Sequence, residues 1–340
     1  MTVKPFGQLP DGTQAHLYTI RRGSLEAAIT DFGATLVSLL VPDRQGALAD
    51  VVLGFDSAAD YAASSAFLGA TVGRNANRIA GAAFSLNGKA CTLERNNNGN
   101  NLHSGSNSYA FRLWKVAAHT DASICLTLES PDGDQGFPGN ASIQVTYALE
   151  HPGTLRITYA GICDADTVFN MTNHTYFNLA GHAHPQRAME QLLTLHADAF
   201  IPVNEKGIPT GQLRQVEATP MDFRTPKALR TDMDADYSQL ISMAGYDHCY
   251  VVSSSPCAVL SDPVSGRTMQ VSTDCPGVQL YTANELRITG KSGVYYCDHG
   301  AVCLETQYYP DALHHPLWPQ PVVKAGEKYF SETEYAFTQA

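Results

Sequence analysis

Two apolar, strand-prone runs each carry one side chain able to move a proton. His174 sits in Phe169-Asn-Met-Thr-Asn-His174-Thr-Tyr-Phe-Asn178, and Glu305 sits in Val302-Cys-Leu-Glu305-Thr-Gln-Tyr-Tyr-Pro310. Burying an imidazole or a carboxyl without a purpose is costly, so the two together point to an acid/base pair. Further polar islands surround them in the sequence: Gly73-Arg-Asn-Ala-Asn77-Arg78, Asn96-Asn-Asn-Gly-Asn-Asn-Leu-His103, and Gly245-Tyr-Asp247-His248. Amide, guanidinium, imidazole and carboxylate groups are the donors and acceptors that recognise a hydroxyl-rich ligand, and a sugar is the natural inference. Taken one at a time, each also fits a plainer role. His174 reads equally as a satisfied structural histidine, Glu305 as a strand-edge carboxylate, the Asn-rich island as a turn, and Asp247 and His248 as a hairpin end and a core imidazole.

The elements that must hold these groups are strands. Alternation with a period near two runs through His16-Leu-Tyr-Thr-Ile20, Ser142-Ile-Gln-Val-Thr-Tyr-Ala-Leu149 and Thr154-Leu-Arg-Ile-Thr-Tyr159, each bounded by Gly, Pro, Asn or Asp. Asn87-Gly88 between two alternating runs predicts a tight hairpin, and Ser265-Gly266 predicts another turn. One short helix is expected around Ser57-Ala-Ala-Asp-Tyr-Ala-Ala-Ser, capped by Asp56 or Ser57. An extended run over 168–178 would put His174, Tyr176 and Asn178 on one face and Asn173, Thr175 and Phe177 on the other. On the second strand Glu305, Gln307 and Tyr309 would share a face. With no linker, repeat or shift in composition, residues 1–340 read as a single all-β domain, a large β-sandwich whose loops carry function.

Composition narrows the partners. The chain has 340 residues, 44% of them hydrophobic and 16% charged, with a formal net charge of −11. That acidic balance, without a basic run, disfavours nucleic acid and suits an uncharged or weakly charged ligand. No apolar run is long enough to span a membrane, and the polar N-terminus predicts a cytoplasmic protein. The eight cysteines show no CxxC spacing and read as reduced core residues. His182/His184 and His314/His315 lie beside prolines with no ligand cluster nearby, so no metal is expected. Phosphate-loop, dinucleotide, HExxH and GxSxG patterns are missing.

At the polar islands the chain closely resembles the aldose 1-epimerases, also called galactose mutarotases. The segments that carry the resemblance are Gly73-Arg-Asn-Ala-Asn-Arg-Ile-Ala, Asn101-Leu-His-Ser-Gly, Asn173-His-Thr-Tyr-Phe-Asn-Leu, Gly245-Tyr-Asp-His, Pro276-Gly-Val-Gln-Leu-Tyr-Thr-Ala-Asn and Cys303-Leu-Glu-Thr-Gln, in order over most of the chain. The resemblance implies a β-supersandwich of the galactose mutarotase type and a cofactor-free enzyme that interconverts the α and β anomers of an aldose such as galactose or glucose. It further implies Glu305 as general base at the anomeric hydroxyl, His174 as general acid at the ring oxygen, and His103 supporting the ring-oxygen side or binding a hydroxyl. Asn77, Arg78, Asp247 and Gln279 would hold the sugar hydroxyls. The chain departs from the family pattern at Asn75, at Cys249, at Ser108-Tyr-Ala-Phe-Arg, and at Tyr308-Tyr309 with His314-His315. These changes leave the acid and base in place and bear on sugar specificity.

Two other function classes remain open on sequence alone: a sugar-binding protein without turnover, and a glycoside hydrolase using Glu305 and Asp247 as its carboxylates. Nothing in the sequence marks a subunit interface, so a monomer or a homodimer is expected.

Overall fold

The computed structural model describes residues 2–150 and 153–339. Its largest sheet grows from the alternation seen in the sequence. In Ala141–Leu149 the side chains of Ile143, Val145, Tyr147 and Leu149 are buried, while Ser142 and Gln144 face water. Each such burial contributes about 1.5–3 kcal/mol, as an upper bound. This strand pairs antiparallel with Ser123–Ser130 on one side and Thr154–Cys163 on the other. The C-terminal strand Lys328–Gln339 then inserts between Thr154–Cys163 and Arg267–Thr273, and the sheet reaches nine strands.

A five-stranded sheet built from residues 2–50 and a six-stranded sheet share one core with the largest sheet. Ile20, Ile29, Leu36 and Leu39 come from the first, and Val278, Leu280, Val302 and Leu304 from the second. They pack with Ile124, Leu126 and Val145 of the nine-stranded sheet. This layered, open β architecture is the expected sandwich. No helix among the described residues is long and apolar enough to cross a membrane.

The expected helix is Ala58–Ala63, and its cap is Ser57, whose hydroxyl accepts from the Asp60 N–H. A second helix, Ser238–Met243, was not expected. It has no side-chain cap and only six residues, so neither a start signal nor a helical period marks it. The Asn87-Gly88 hairpin forms, joining Ala83–Leu86 to Lys89–Thr92 with both turn residues at positive φ. The Ser265-Gly266 turn also forms, as part of a longer loop closed by Asp262 and Arg267.

The run 168–178 differs from the continuous strand expected. It breaks into Thr167–Val168, Thr172–Asn173 and Tyr176–Phe177, which pair with Val322–Val323, Thr71–Val72 and Val302–Gln307 respectively. The alternation survives locally. His174 stacks on Tyr176 at 5.0 Å, while the Asn173 amide turns the other way, to Gly69 and Tyr147. Asn178 leaves the pattern altogether, because its side chain is bonded to the His184 and Gly300 carbonyls. Of the cysteines, Cys91, Cys125 and Cys297 are partly exposed, and the other five are buried.

Candidate active site

The pleat of the six-stranded sheet fixes the site. Register places Glu305 opposite Gln279, Cys303 opposite both Tyr281 and Tyr176, and Tyr281 opposite Asp247. Opposed residues share a face, so Glu305, Gln279 and Asp247 point away from the core, while Leu304 and Leu280 point into it. Above this outer face lies a cleft of about 1160 Å³ lined by Asn77, Arg78, His103, His174, Asp247 and Glu305, among others. Every residue expected to act is therefore at one place except Gln279, which lies a layer beneath. Its Nε2–H donates to Asp247 Oδ1 at 2.6 Å, and its Oε1 is buried without a partner.

His174 and Glu305 face each other, with Nε2 3.7 Å from Oε1. They are only 6% and 2% exposed. Burial pushes the Glu305 carboxyl well above the usual carboxylate range, and the charge of Asp247 adds to this while Arg78 opposes it. Burial also lowers His174, to about 4. Both shifts favour the uncharged forms of the pair, a carboxylic acid beside a neutral imidazole. Glu305 Oε2 has no partner among the described residues. An unpaired acceptor buried at the floor of a cleft is poised for a ligand.

His103 is held differently. The Asn77 backbone N–H donates to its Nδ1 at 3.2 Å, and the His103 backbone N–H donates to the Asn77 carbonyl at 3.1 Å. An Nδ1 that accepts leaves the ring proton on Nε2, so His103 offers the cleft a donor. Burial holds it well below its ordinary pKa, helped by His174 and Arg78, and it stays neutral. The same tautomer bears on metal binding. His103, His174 and Glu305 each present an atom within 4.8 Å of the others, a spacing that a cation could bridge. A metal needs the lone pair of the nitrogen that, in His103, carries the proton. The histidines singled out in the sequence are committed elsewhere: His182 to the Tyr296 hydroxyl at 3.0 Å, and His314 to Asp311 at 2.6 Å. His315 lies against Trp318, with ring centroids 4.2 Å apart.

Arg78 is clamped from three sides. Its NH1 is 3.6 Å from Asp247 Oδ2, its Nε donates to Asn97 Oδ1 at 3.2 Å, and Gly207 lies flat against the guanidinium. A Cβ on Gly207 would come within 2.8 Å of Arg78 Cζ and push the guanidinium aside, and the φ of +72° there favours glycine. Asn97, read in the sequence as a turn residue, is thus a ligand of the site's arginine. No pattern links residues so far apart in sequence, and only the fold reveals the contact. If Arg78 holds a sugar hydroxyl, as the resemblance implies, Asn97→Ala is expected to raise the KM for sugar several-fold and leave kcat nearly unchanged, because it loosens that arginine. Steady-state kinetics would show the split, and a fall in kcat alone would refute it.

The aldose 1-epimerase family pattern matches residues 16–336. The chain belongs to the aldose 1-epimerase family. It is 38% identical to the aldose 1-epimerase of Haemophilus influenzae, over 96% of this chain and 97% of that one. It is 39% identical to the galactose mutarotase of Bos taurus, over 98% of each. An aldose epimerase homologue from C. elegans superposes with a TM-score of 0.90 at 32% identity, covering 96% of this chain and 99% of that one. The galactose 1-epimerase of Lactobacillus acidophilus gives a TM-score of 0.86 at 26% identity, covering 100% and 98%. Among aldose 1-epimerases the layered sheets described above are thus a shared frame, and the cleft sits on it.

Proposed function

We propose that the cleft interconverts the α and β anomers of an aldose of the galactose or glucose class, with Glu305 and His174 moving the protons. The observation that carries this reading is the facing pair, a buried carboxyl and imidazole 3.7 Å apart in a cleft of hydroxyl-binding groups. The relatives named aldose 1-epimerase and galactose mutarotase support it. In the reaction Glu305 takes the proton of the anomeric hydroxyl while His174 gives one to the ring oxygen. The C1–ring oxygen bond breaks, and an open-chain aldehyde forms. Rotation about C1–C2 presents the other carbonyl face, and the same groups run backwards to close the ring. For Glu305 to start as a base and His174 as an acid, the pair must stand as carboxylate and imidazolium, which a proton passing from the carboxyl to the imidazole would supply. Asp247 favours that transfer at the imidazole but opposes it at the carboxylate, where Arg78 favours it. Both steps are proton transfers within reach of these side chains, and the chemistry calls for no cofactor.

His103, as an Nε2–H donor, would support the ring-oxygen side. Arg78, Asn77 and Asp247 would hold hydroxyls, with Gln279 fixing the Asp247 carboxylate from beneath. That commitment of Asp247 to Gln279 and Arg78 also disfavours a hydrolase reading, in which it would have to act as a free second acid or nucleophile. The test is to dissolve crystalline α-galactose and α-glucose and follow optical rotation with and without the protein. Faster approach to equilibrium is expected, and the ratio of the two rates ranks the sugars. A protein that binds either sugar without speeding the change would instead be a sugar-binding protein on the same frame.

A further inference from the structure

One aromatic ring in the cleft has no role in the reaction just described, and its backbone is strained. Phe67 adopts φ +55°, a left-handed conformation that a bulky aromatic residue rarely takes. Its half-buried ring lies 4.9 Å from the His103 ring and 6.1 Å from the His174 ring, stacked on the latter at 21°. Phe111 backs it at 5.2 Å. Strain held at such a contact asks for a reason.

The turn that carries Phe67 is also the mount of His174. The Ala70 N–H closes the turn on the Phe67 carbonyl at 3.0 Å. The Gly69 N–H donates to the His174 carbonyl and the His174 N–H donates to the Ala70 carbonyl, each at 2.9 Å. Asn173 Nδ2 reaches the Gly69 carbonyl from the same segment, also at 2.9 Å. Gly69 itself cannot be replaced without collision, since a Cβ there would stand 2.1 Å from the Leu36 carbonyl oxygen. Backbone and ring of His174 are thus both referenced to one four-residue turn. A displacement of the Phe67 ring is a displacement of the wall against which the imidazole rests.

We propose that Phe67 is a positioning residue for the proton-transferring pair: its ring, held by the strained turn, fixes the orientation of His174 and His103 and keeps water from the face of His174 that it covers. The proposal rests on the reading of His174 as the acid of an anomer interconversion. It does not make Phe67 a catalytic residue, because the ring acts through the imidazoles. Removing the ring opens that face to water, and water favours the protonated imidazole. The other groups facing His174 stay in place. These are Glu305 and Cys303 from Val302–Gln307, Tyr281 from Gly277–Tyr281, Asp247 from Asp247–Val251, and Tyr176, with His103 and Arg78 beyond.

The deciding measurement is an NMR titration of the His174 imidazole in the sugar-free protein, for wild type, Phe67→Ala, Phe67→Leu and Phe67→Tyr, beside the anomer-exchange rate of each. In the Ala variant His174 is expected to titrate about one pH unit or more above its wild-type value, and kcat to fall on the order of 10- to 100-fold. Phe67→Tyr, which keeps the ring, should restore both. Phe67→Leu keeps apolar bulk without the ring, and it answers the question if the Ala variant does not fold. An imidazole titrating at the wild-type position in Ala and Leu variants, with rates within twofold of wild type, overturns the proposal. A fall in rate that the Tyr variant fails to rescue overturns it too. Absence of any rate acceleration by the wild-type protein would remove the functional reading instead, and the titration alone would then decide whether the ring shields the imidazole.

Discussion

Glu305→Gln is expected to slow anomer interconversion by roughly 10²–10⁴ while galactose still binds. The amide has the shape of the carboxyl and keeps its place opposite Gln279, but it cannot accept the anomeric proton. A wild-type rate in the variant, measured by polarimetry, would take Glu305 out of the mechanism. Stability should move the other way. Glu305 is buried with Oε2 unpartnered, and its folded pKa lies well above the ordinary value of 4.5. A group raised in this way gives its full contribution to stability below the unfolded pKa and loses it as pH rises through the folded one. Glutamine does not titrate. Melting temperatures compared from about pH 4.5 upward should therefore drift apart, with the variant gaining on the wild type as pH rises. A gap that stays constant across the series would mean that the carboxyl is no more reluctant to ionise in the fold than outside it. The expected pattern, less activity with more stability, is the signature of a group retained for chemistry against the preference of the fold.

How far the sequence reaches is plain from particular residues. Glu305 sits in a strand whose pairing runs without a register shift, so it shares a face with Gln307 and not with Leu304, as the period of the pleat requires. His174 was legible as a residue, yet its setting was not, because the segment around it is three short bridges to three different partners. Such bridges are set by tertiary pairing, and an apolar run looks the same whether it is one strand or several. The roles of Asn77, Arg78, His103 and Asp247 in one cleft came from the family resemblance and not from spacing. Two contacts lay beyond both routes. Asn97 looks like any turn asparagine until its Oδ1 is seen on Arg78, and Phe67 looks like any apolar residue until its backbone is seen at positive φ against two imidazoles. Each depends on where a loop ends in space, which local pattern does not encode.

The proton count of the pair makes the strongest demand on the proposal. Below the pKa of His174, which lies at about 4, both groups are protonated and nothing can accept the anomeric proton. Above the raised pKa of Glu305 neither is, and nothing can protonate the ring oxygen. Between the two the site carries one proton, so kcat/KM should form a broad plateau with an acid limb near 4 and an alkaline limb well above the usual carboxylate range. His174→Asn should lower kcat by about 10²–10⁴ with sugar affinity near normal, and it should move the acid limb from near 4 up to the raised pKa of Glu305, since the residual reaction still needs the carboxylate. Lost affinity at an unchanged kcat would make His174 a binding residue, and an acid limb that stays near 4 would place that ionisation elsewhere. Because the two groups exchange the same proton, their effects cannot add. The Glu305→Gln, His174→Asn double variant should be no slower than the worse of the two single variants, whereas independent losses that multiply would mean that each group works alone.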